Sequence, residues 1–164
     1  MKARLFSLFI LLACMLIQAQ EQAQAQTKAQ AQTQSQPQQS FPYPALPDTL
    51  RSVEQRAGYL SEHYWDNYNF ADTLMLKSEE VTEQGFVNFI DILGRFSPAI
   101  AQKGIAGFTR KAFLHAAAKE RFESLIEHYF ENPQSPLRND RVYLLFLEEM
   151  KNSPCFDEAE KERL

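Results

Sequence analysis

The chain is poor in the residues from which catalytic and metal centres are built. It holds two cysteines, three histidines and five glycines in 164 residues. Cys14 lies inside an N-terminal apolar run, which leaves Cys155 alone near the far end. No internal disulfide, C-x-x-C redox pair or cysteine metal cluster can be assembled from that supply. Cys155 sits between Pro154 and Phe156 with no histidine or basic group beside it in sequence. It reads as a packed thiol and not a reactive one. The scattered glycines form no phosphate-cradling loop, and neither the G-x-S-x-G elbow nor the zinc-protease pattern of two histidines four apart is present. Basic residues number 17 against 21 acidic ones, so no basic stripe is available to neutralise the phosphates of a nucleic acid. Nor is any apolar run as long as the roughly 20 residues that span a bilayer core. These absences leave an expectation of no catalytic residue, no cofactor and no metal ligand.

What is present at the N-terminus reads as an export signal. Lys2 and Arg4 form a positive region, and Leu5 to Ile17 is an apolar run of about 13 residues broken only by Ser7. Leu11-Leu12-Ala13-Cys14 resembles a bacterial lipoprotein box, in which the cysteine is acylated and becomes the new N-terminus. Leu12 is bulkier than the residue usual at that position. The alternative is ordinary cleavage after Ala19, with residues 1–19 removed and no lipid. Two or more acyl chains at about 0.8 kcal/mol per buried methylene would hold the protein on a membrane permanently. The expected location is the cell envelope, either lipid-anchored through Cys14 or free in the periplasm.

Residues 20–40 are almost wholly Gln and Ala with some Thr, Ser and Pro, and only Glu21 and Lys28 carry charge. Such a stretch buries too little apolar surface to offset its ordering entropy, so it is expected to be a disordered tether. Three prolines in Phe41-Pro42-Tyr43-Pro44-Ala45-Leu46-Pro47 enforce an extended segment, whose aromatics should lie against a folded domain spanning 41–164.

That domain is expected to be all-α, a small bundle of four to five helices without sheet, because no stretch alternates with a period of two. Ser52 with Gln55 makes a capping-box pattern opening a helix to about Asn67. A loop holding Asn69, Asp72 and Thr73 leads to a second helix from Ser78 or Glu79 to Arg95. Ser97-Pro98 starts a third, running towards Ala118, with Gly104 and Gly107 weakening it by about 1 kcal/mol each. Lys119 to Asn132 forms a fourth and Asp140 to Asn152 a fifth. Asp157 could cap a last short helix.

One internal similarity stands out. Residues 56–67 read RAGYLSEHYWDN and residues 121–132 read RFESLIEHYFEN. Two helical hairpins stacked in a solenoid-like bundle would explain it, as would chance or shared packing rules. The repeated pairs Glu62/His63 and Glu127/His128 cannot chelate a metal as neighbours, since adjacent helical residues point about 100° apart. Their structural reading is that they lace the ends of equivalent helices. Trp65-Asp66 with Phe70-Ala71-Asp72-Thr73 could line a sugar or peptide groove, but a core aromatic followed by loop-capping carboxylates is the simpler account.

These residues carry a resemblance. Arg56, Tyr59, His63, Tyr64, Trp65, Asp66, Phe70, Asp72 and Thr73, followed by Asn132, Pro133, Ser135, Pro136, Arg138 and Asn139, look like a helical domain of unknown function from secreted Gram-negative bacterial proteins. The ending Ser153-Pro154 … Asp157-Glu158-Ala159-Glu160-Lys161 is similar too. In that family the helical domain usually precedes a thioredoxin-like domain of the peroxiredoxin and thiol-disulfide class, which carries the catalytic cysteines. No such domain follows Leu164, so the resemblance implies a chain truncated at its C-terminus and transfers no catalytic residue. Together with the signal and the tether, it leads to the expectation of a lipid-anchored, non-catalytic module that positions or partners an envelope redox domain. The alternative is a free-standing envelope lipoprotein that binds a peptide or protein in a helical groove, with Phe108, Phe113 and Tyr129 at its surface.

Overall fold

The structure, a computed structural model, describes residues 40–164. The apolar N-terminal run, Cys14 and the Gln/Ala segment before Ser40 lie outside the described residues. Among those described there are seven α-helices, two π-helical segments and no strand. In chain order they are α1 Val53–His63, α2 Thr73–Lys77, a π segment Glu79–Glu83 leading into α3 Gln84–Arg95, α4 Pro98–Ala112, α5 Ala116–Ile126 followed by a π segment Glu127–Glu131, α6 Asp140–Asn152 and α7 Glu158–Arg163.

Local chemistry sets most of these boundaries. The Ser52–Gln55 capping box is formed in both directions. Asn139 accepts from the Val142 amide to open α6 over the expected residues. Asp157 and Glu160 make a second capping box that opens α7. Asp72 accepts from the amides of Leu74 and Met75, so the expected loop holds the one-turn helix α2. Ser97 sits at the N-cap of α4, but its side chain makes no capping bond. The helix from Pro98 stops at Ala112, short of Ala118, because Phe113 turns its ring into the core, and the chain restarts at Ala116. Likewise α1 ends at His63, and turns carry Tyr64, Trp65 and Tyr68 inward.

α4 is the centre of the bundle. It packs against α1, α3, α5 and α6, while α5 leans chiefly on α2 and α4, and α6 chiefly on α4. A general helical bundle therefore describes the domain, and a stack of two separate hairpins does not. The reason lies in α4, where Ala101, Gly104, Ile105, Gly107, Phe108, Thr109 and Ala112 are all buried. A helix apolar on several sides must be surrounded. Ile105 and Phe108 enter the aromatic core, whereas Gly104 and Gly107 face α1. A Cβ at Gly104 would stand 3.0 Å from Leu93 and 3.1 Å from the Ser61 carbonyl oxygen; one at Gly107 would stand 3.1 Å from the Glu62 carbonyl oxygen.

The repeated dodecapeptides play parallel parts around α3. The Tyr64 hydroxyl donates to the Gly85 carbonyl at 2.9 Å, and the Tyr129 hydroxyl donates to Glu83 at 2.8 Å. Trp65 and Phe130, which match in the repeat, are both buried. The extended Phe41–Pro47 segment docks as expected. The Phe41 ring fills the space that a Cβ on Gly85 would occupy, 2.3 Å away, and packs on Tyr64, Trp65 and Tyr68.

Candidate functional site

The residues singled out in the sequence divide between core and scaffolding. Trp65 and Phe70 are buried among Tyr68, Phe89, Phe108 and Phe122, so the aromatic-acidic stretch lines no groove. Asp66 pairs with Lys111 and with His63 Nδ1 at 2.7 Å. Burial opposes ionisation of Asp66, but the bonds from Lys111 and His63 outweigh it and hold its carboxyl below the ordinary value. His63 also stacks on Tyr59. Arg56 Nε donates to the Leu50 carbonyl. Thr73 opens α2 behind the Asp72 cap. Asn132 and Ser135 accept from the amides of Gln134 and Leu137, which braces the turn containing Pro133 and Pro136. Arg138 Nε bonds Asp140, and Asn139 caps α6. These bonds tie down turns and helix ends, and they converge on no common centre.

His115 sits at the N-cap position of α5 in an exposed bend, not within a helix, and its ring makes no capping bond, while His128 packs edge-on to Tyr129. Among the described residues no three His, Cys, Asp or Glu side chains gather around a metal-sized space. Phe108 and Phe113 are buried, and Tyr129 is half-buried with its hydroxyl tied to Glu83. Of the aromatics that a peptide groove would need at its surface, Phe108 and Phe113 are therefore inside the core and Tyr129 is packed against it.

Glu83 links the π segment before α3 to α5, accepting from Arg121 Nη2 and from the Tyr129 hydroxyl, each at 2.8 Å. Burial acts against its charge, yet these two bonds keep its carboxyl below the usual range. Burial and the same bond to Glu83 push the Tyr129 phenol up to about 12. This cluster ties α5 and the π segment after it to the π segment before α3, and its Arg121 also lines a concavity with Thr73, Leu76 and Glu120.

A concavity of about 340 Å³ lies where the π segment after α5, α6 and α7 meet, lined by the apolar Ile126, Leu147, Met150 and Phe156, by the acids Glu123, Glu127, Glu131 and Glu160, and by Arg163. Sequence reading missed it, because its lining comes from three separated helices. One signal was available: the acidic residues of α5 and its π segment recur as Glu123, Glu127 and Glu131, on one helical face. Burial pushes the Glu123 carboxyl above its ordinary value; Lys119 and Arg163 oppose this, while Glu160 and Glu127 add to it. The Glu131 carboxylate accepts from the Tyr143 hydroxyl at 2.5 Å.

Lys119 holds one wall of the cleft in place. Its Nζ donates to both Glu160 oxygens at 2.7 and 2.8 Å and to the Cys155 carbonyl at 2.8 Å, and it stands 4.0 Å from the centre of the Phe156 ring. One ammonium thus satisfies its three donors and adds a cation–π contact. Glu160 is held below the ordinary carboxylate value, first by Lys119 and then by the Asp157 amide. A carboxyl lowered in the folded state stabilises above its unfolded value and loses that contribution as pH falls through its native value. Lys119→Met should therefore release residues 153–164 at neutral pH, read as faster amide exchange and chymotryptic cutting at Phe156 while α1, α3 and α4 keep their protection. Wild-type protein should show the same local release only as pH falls below the ordinary carboxylate range. Unchanged protection of α7 in the variant would show that Lys119 does not hold it.

A protein-family model described as "Domain of unknown function (DUF5106)" matches residues 16–164. No curated protein matches the chain. Among solved structures, a thioredoxin-like protein from Bacteroides caccae ATCC 43185, known from a crystal structure, is similar to it at 38% identity with a TM-score of 0.68. The similarity covers 76% of this chain and 45% of that protein, so the chain spans less than half the length of its structural relative.

Proposed function

The chain belongs to the family described as a domain of unknown function, DUF5106, and from that premise we propose that it is an exported, non-catalytic helical module that positions or partners a thioredoxin-like domain in the envelope of a Gram-negative bacterium. The observation that carries this reading is the partial overlap with the Bacteroides caccae protein. A thioredoxin-like fold is built on βαβ units, often with a C-x-x-C pair. The described residues here are helical without a strand, and Cys155 is their one free thiol. This supports reading the part of the relative that earns the description thioredoxin-like as the part this chain does not cover, with the matched region as its helical companion.

The N-terminal sequence supports anchoring through Cys14, with residues 20–40 as a spacer of roughly 25–30 Å mean reach between lipid and bundle. Two measurements test the proposal together. The intact mass of the mature protein should begin at an acylated Cys14; an unmodified product beginning at Gln20 would remove the anchor. The uncovered portion of the Bacteroides caccae protein, expressed separately and checked for folding by circular dichroism, should comigrate with this chain in gel filtration. The chain alone should not turn over a dithiol-driven insulin-reduction assay. Turnover by the chain alone, or absence of any association, would end the proposal.

A further inference from the structure

We infer that the aromatic seat between α3 and the turn after α1 is a binding site for an extended Phe-Pro-Tyr-Pro segment. Here the chain's own residues 41–44 fill it as a strap. The contact is self-inhibitory, because lifting the strap opens the seat to a like segment of another chain.

The seat is built by the bundle and not by the strap. Its ring walls are Tyr64, Trp65 and Tyr68, and Gly85 on α3 leaves room for one more ring by lacking a side chain. Those walls are held in place by other contacts. Tyr64 and Trp65 pack on each other and on Phe89. The Tyr64 hydroxyl donates to the Gly85 carbonyl at 2.9 Å, and the Tyr68 hydroxyl bonds Thr82 Oγ1 at 2.5 Å. Withdrawal of Phe41 would therefore leave a formed aromatic hollow, and a preorganised site loses little freedom when it is filled.

The strap is attached as a ligand is attached. Its backbone bonds, from the Tyr43 amide to Phe41 and from the Leu50 amide to Pro47, are internal to the segment. Side chains make the ties to the bundle. Phe41 is 6% exposed in the seat, and the Tyr43 ring stands edge-on to Tyr64. Asn88 Nδ2 donates to the Tyr43 hydroxyl at 2.8 Å, and Asn67 Nδ2 donates to the Tyr43 carbonyl at 3.2 Å. Alternate side chains in pockets and a bonded carbonyl between prolines are how an extended peptide is read in an aromatic-lined groove. Pro42 and Pro44 hold the segment extended beforehand, which lowers the entropy lost on docking. Residues 45–49, which join it to α1, are exposed, so the strap can leave without unwinding a helix.

The test is calorimetric binding of the capped peptide Ser-Phe-Pro-Tyr-Pro-Ala-Leu-Pro, the sequence of residues 40–47, to the full chain and its variants. F41A/Y43A, which empties the seat, should bind it about tenfold or more tightly than wild type, whose own strap competes at high effective concentration. The same peptide with alanine in place of both aromatics should not bind. Adding G85A to the doublet puts a methyl group where the Phe41 ring lay and should abolish binding, while alanine suits the helix better than glycine. The milder F41L keeps the result readable if the doublet does not fold: the peptide should raise its thermal midpoint and leave that of wild type unchanged. Failure of the folded doublet to bind, or of F41L to respond where the doublet is unfolded, would overturn the inference. So would equal binding by wild type, or binding that survives G85A.

Discussion

Trp65→Ala is expected to destabilise the domain by about 3–5 kcal/mol, a large part of the roughly 5–15 kcal/mol that separates a typical folded domain from its unfolded state. Trp65 is 2% exposed, and seven aromatic rings stand around it: Phe41, Tyr64, Tyr68, Phe70, Phe89, Phe108 and Phe122, with centroids between 5.1 and 5.8 Å away. Those rings come from the N-terminal segment, the turn after α1, α3, α4 and α5, so one truncation opens a cavity shared by most of the bundle. Trp65→Phe should cost less than half as much. It keeps a ring in place and also removes the indole Nε1, which is buried without a hydrogen-bond partner and so carries a desolvation cost of about 1–3 kcal/mol. Urea midpoints followed by circular dichroism, with an unchanged slope, measure both. Trp65 is the chain's one tryptophan, so its fluorescence reports on the core in wild type and is lost in either variant. A phenylalanine variant as unstable as the alanine one would show that the indole's volume, and not aromatic contact, holds this site.

Gly104→Val should destabilise by about 1–3 kcal/mol through overpacking, although propensity alone favours replacing a glycine inside a helix. The space for a side chain at Gly104 is taken by Leu93 and by the backbone and Cβ of Ser61. Added methyl groups would push α1 away from α4, the most intimate pairing in the bundle. Gly58, on α1, makes the internal control: a Cβ there meets nothing within 4 Å. Gly58→Ala should therefore stabilise by about 0.5–1 kcal/mol. Thermal midpoints of the two variants should move in opposite directions. A rise for both would mean that α1 and α4 can separate freely at that crossing.

The two glycines show where local reasoning reaches its limit. Read along the chain, Gly104 and Gly107 are weak points of a helix; in three dimensions they are what lets another helix's backbone come near. The same limit explains Asp72. Its loop looked irregular because five residues are too few for a periodic pattern, whereas the cap that starts α2 is a bond between a side chain and amides two and three residues away. α1 and α4 end earlier than composition alone predicts, at His63 and Ala112, for a related reason. Tyr64, Trp65 and Phe113 suit a helix by composition, but they leave helical geometry to enter the core. The core role of Trp65 and the loop-tying role of Asp72 were legible, and the turn-bracing tasks of Asn132 and Ser135 were not.

The sequence by itself determined the elements: an all-α domain, helices opened by Ser52 and Asp157, and a fifth main helix over Asp140–Asn152. These follow from capping bonds and apolar spacings within a few residues of one another, which the order of amino acids encodes directly. Only the tertiary structure decided that α4 lies at the centre, that Trp65 is the hub of the aromatic core, that Lys119 reaches 41 positions along the chain to Glu160, and that three helices enclose an acid-lined cleft. Many long-range pairings satisfy the same apolar pattern. The choice among them rests on the fit of particular side chains, such as a glycine face against a backbone and an ammonium between a carboxylate and a ring, and that fit exists only once the helices have met.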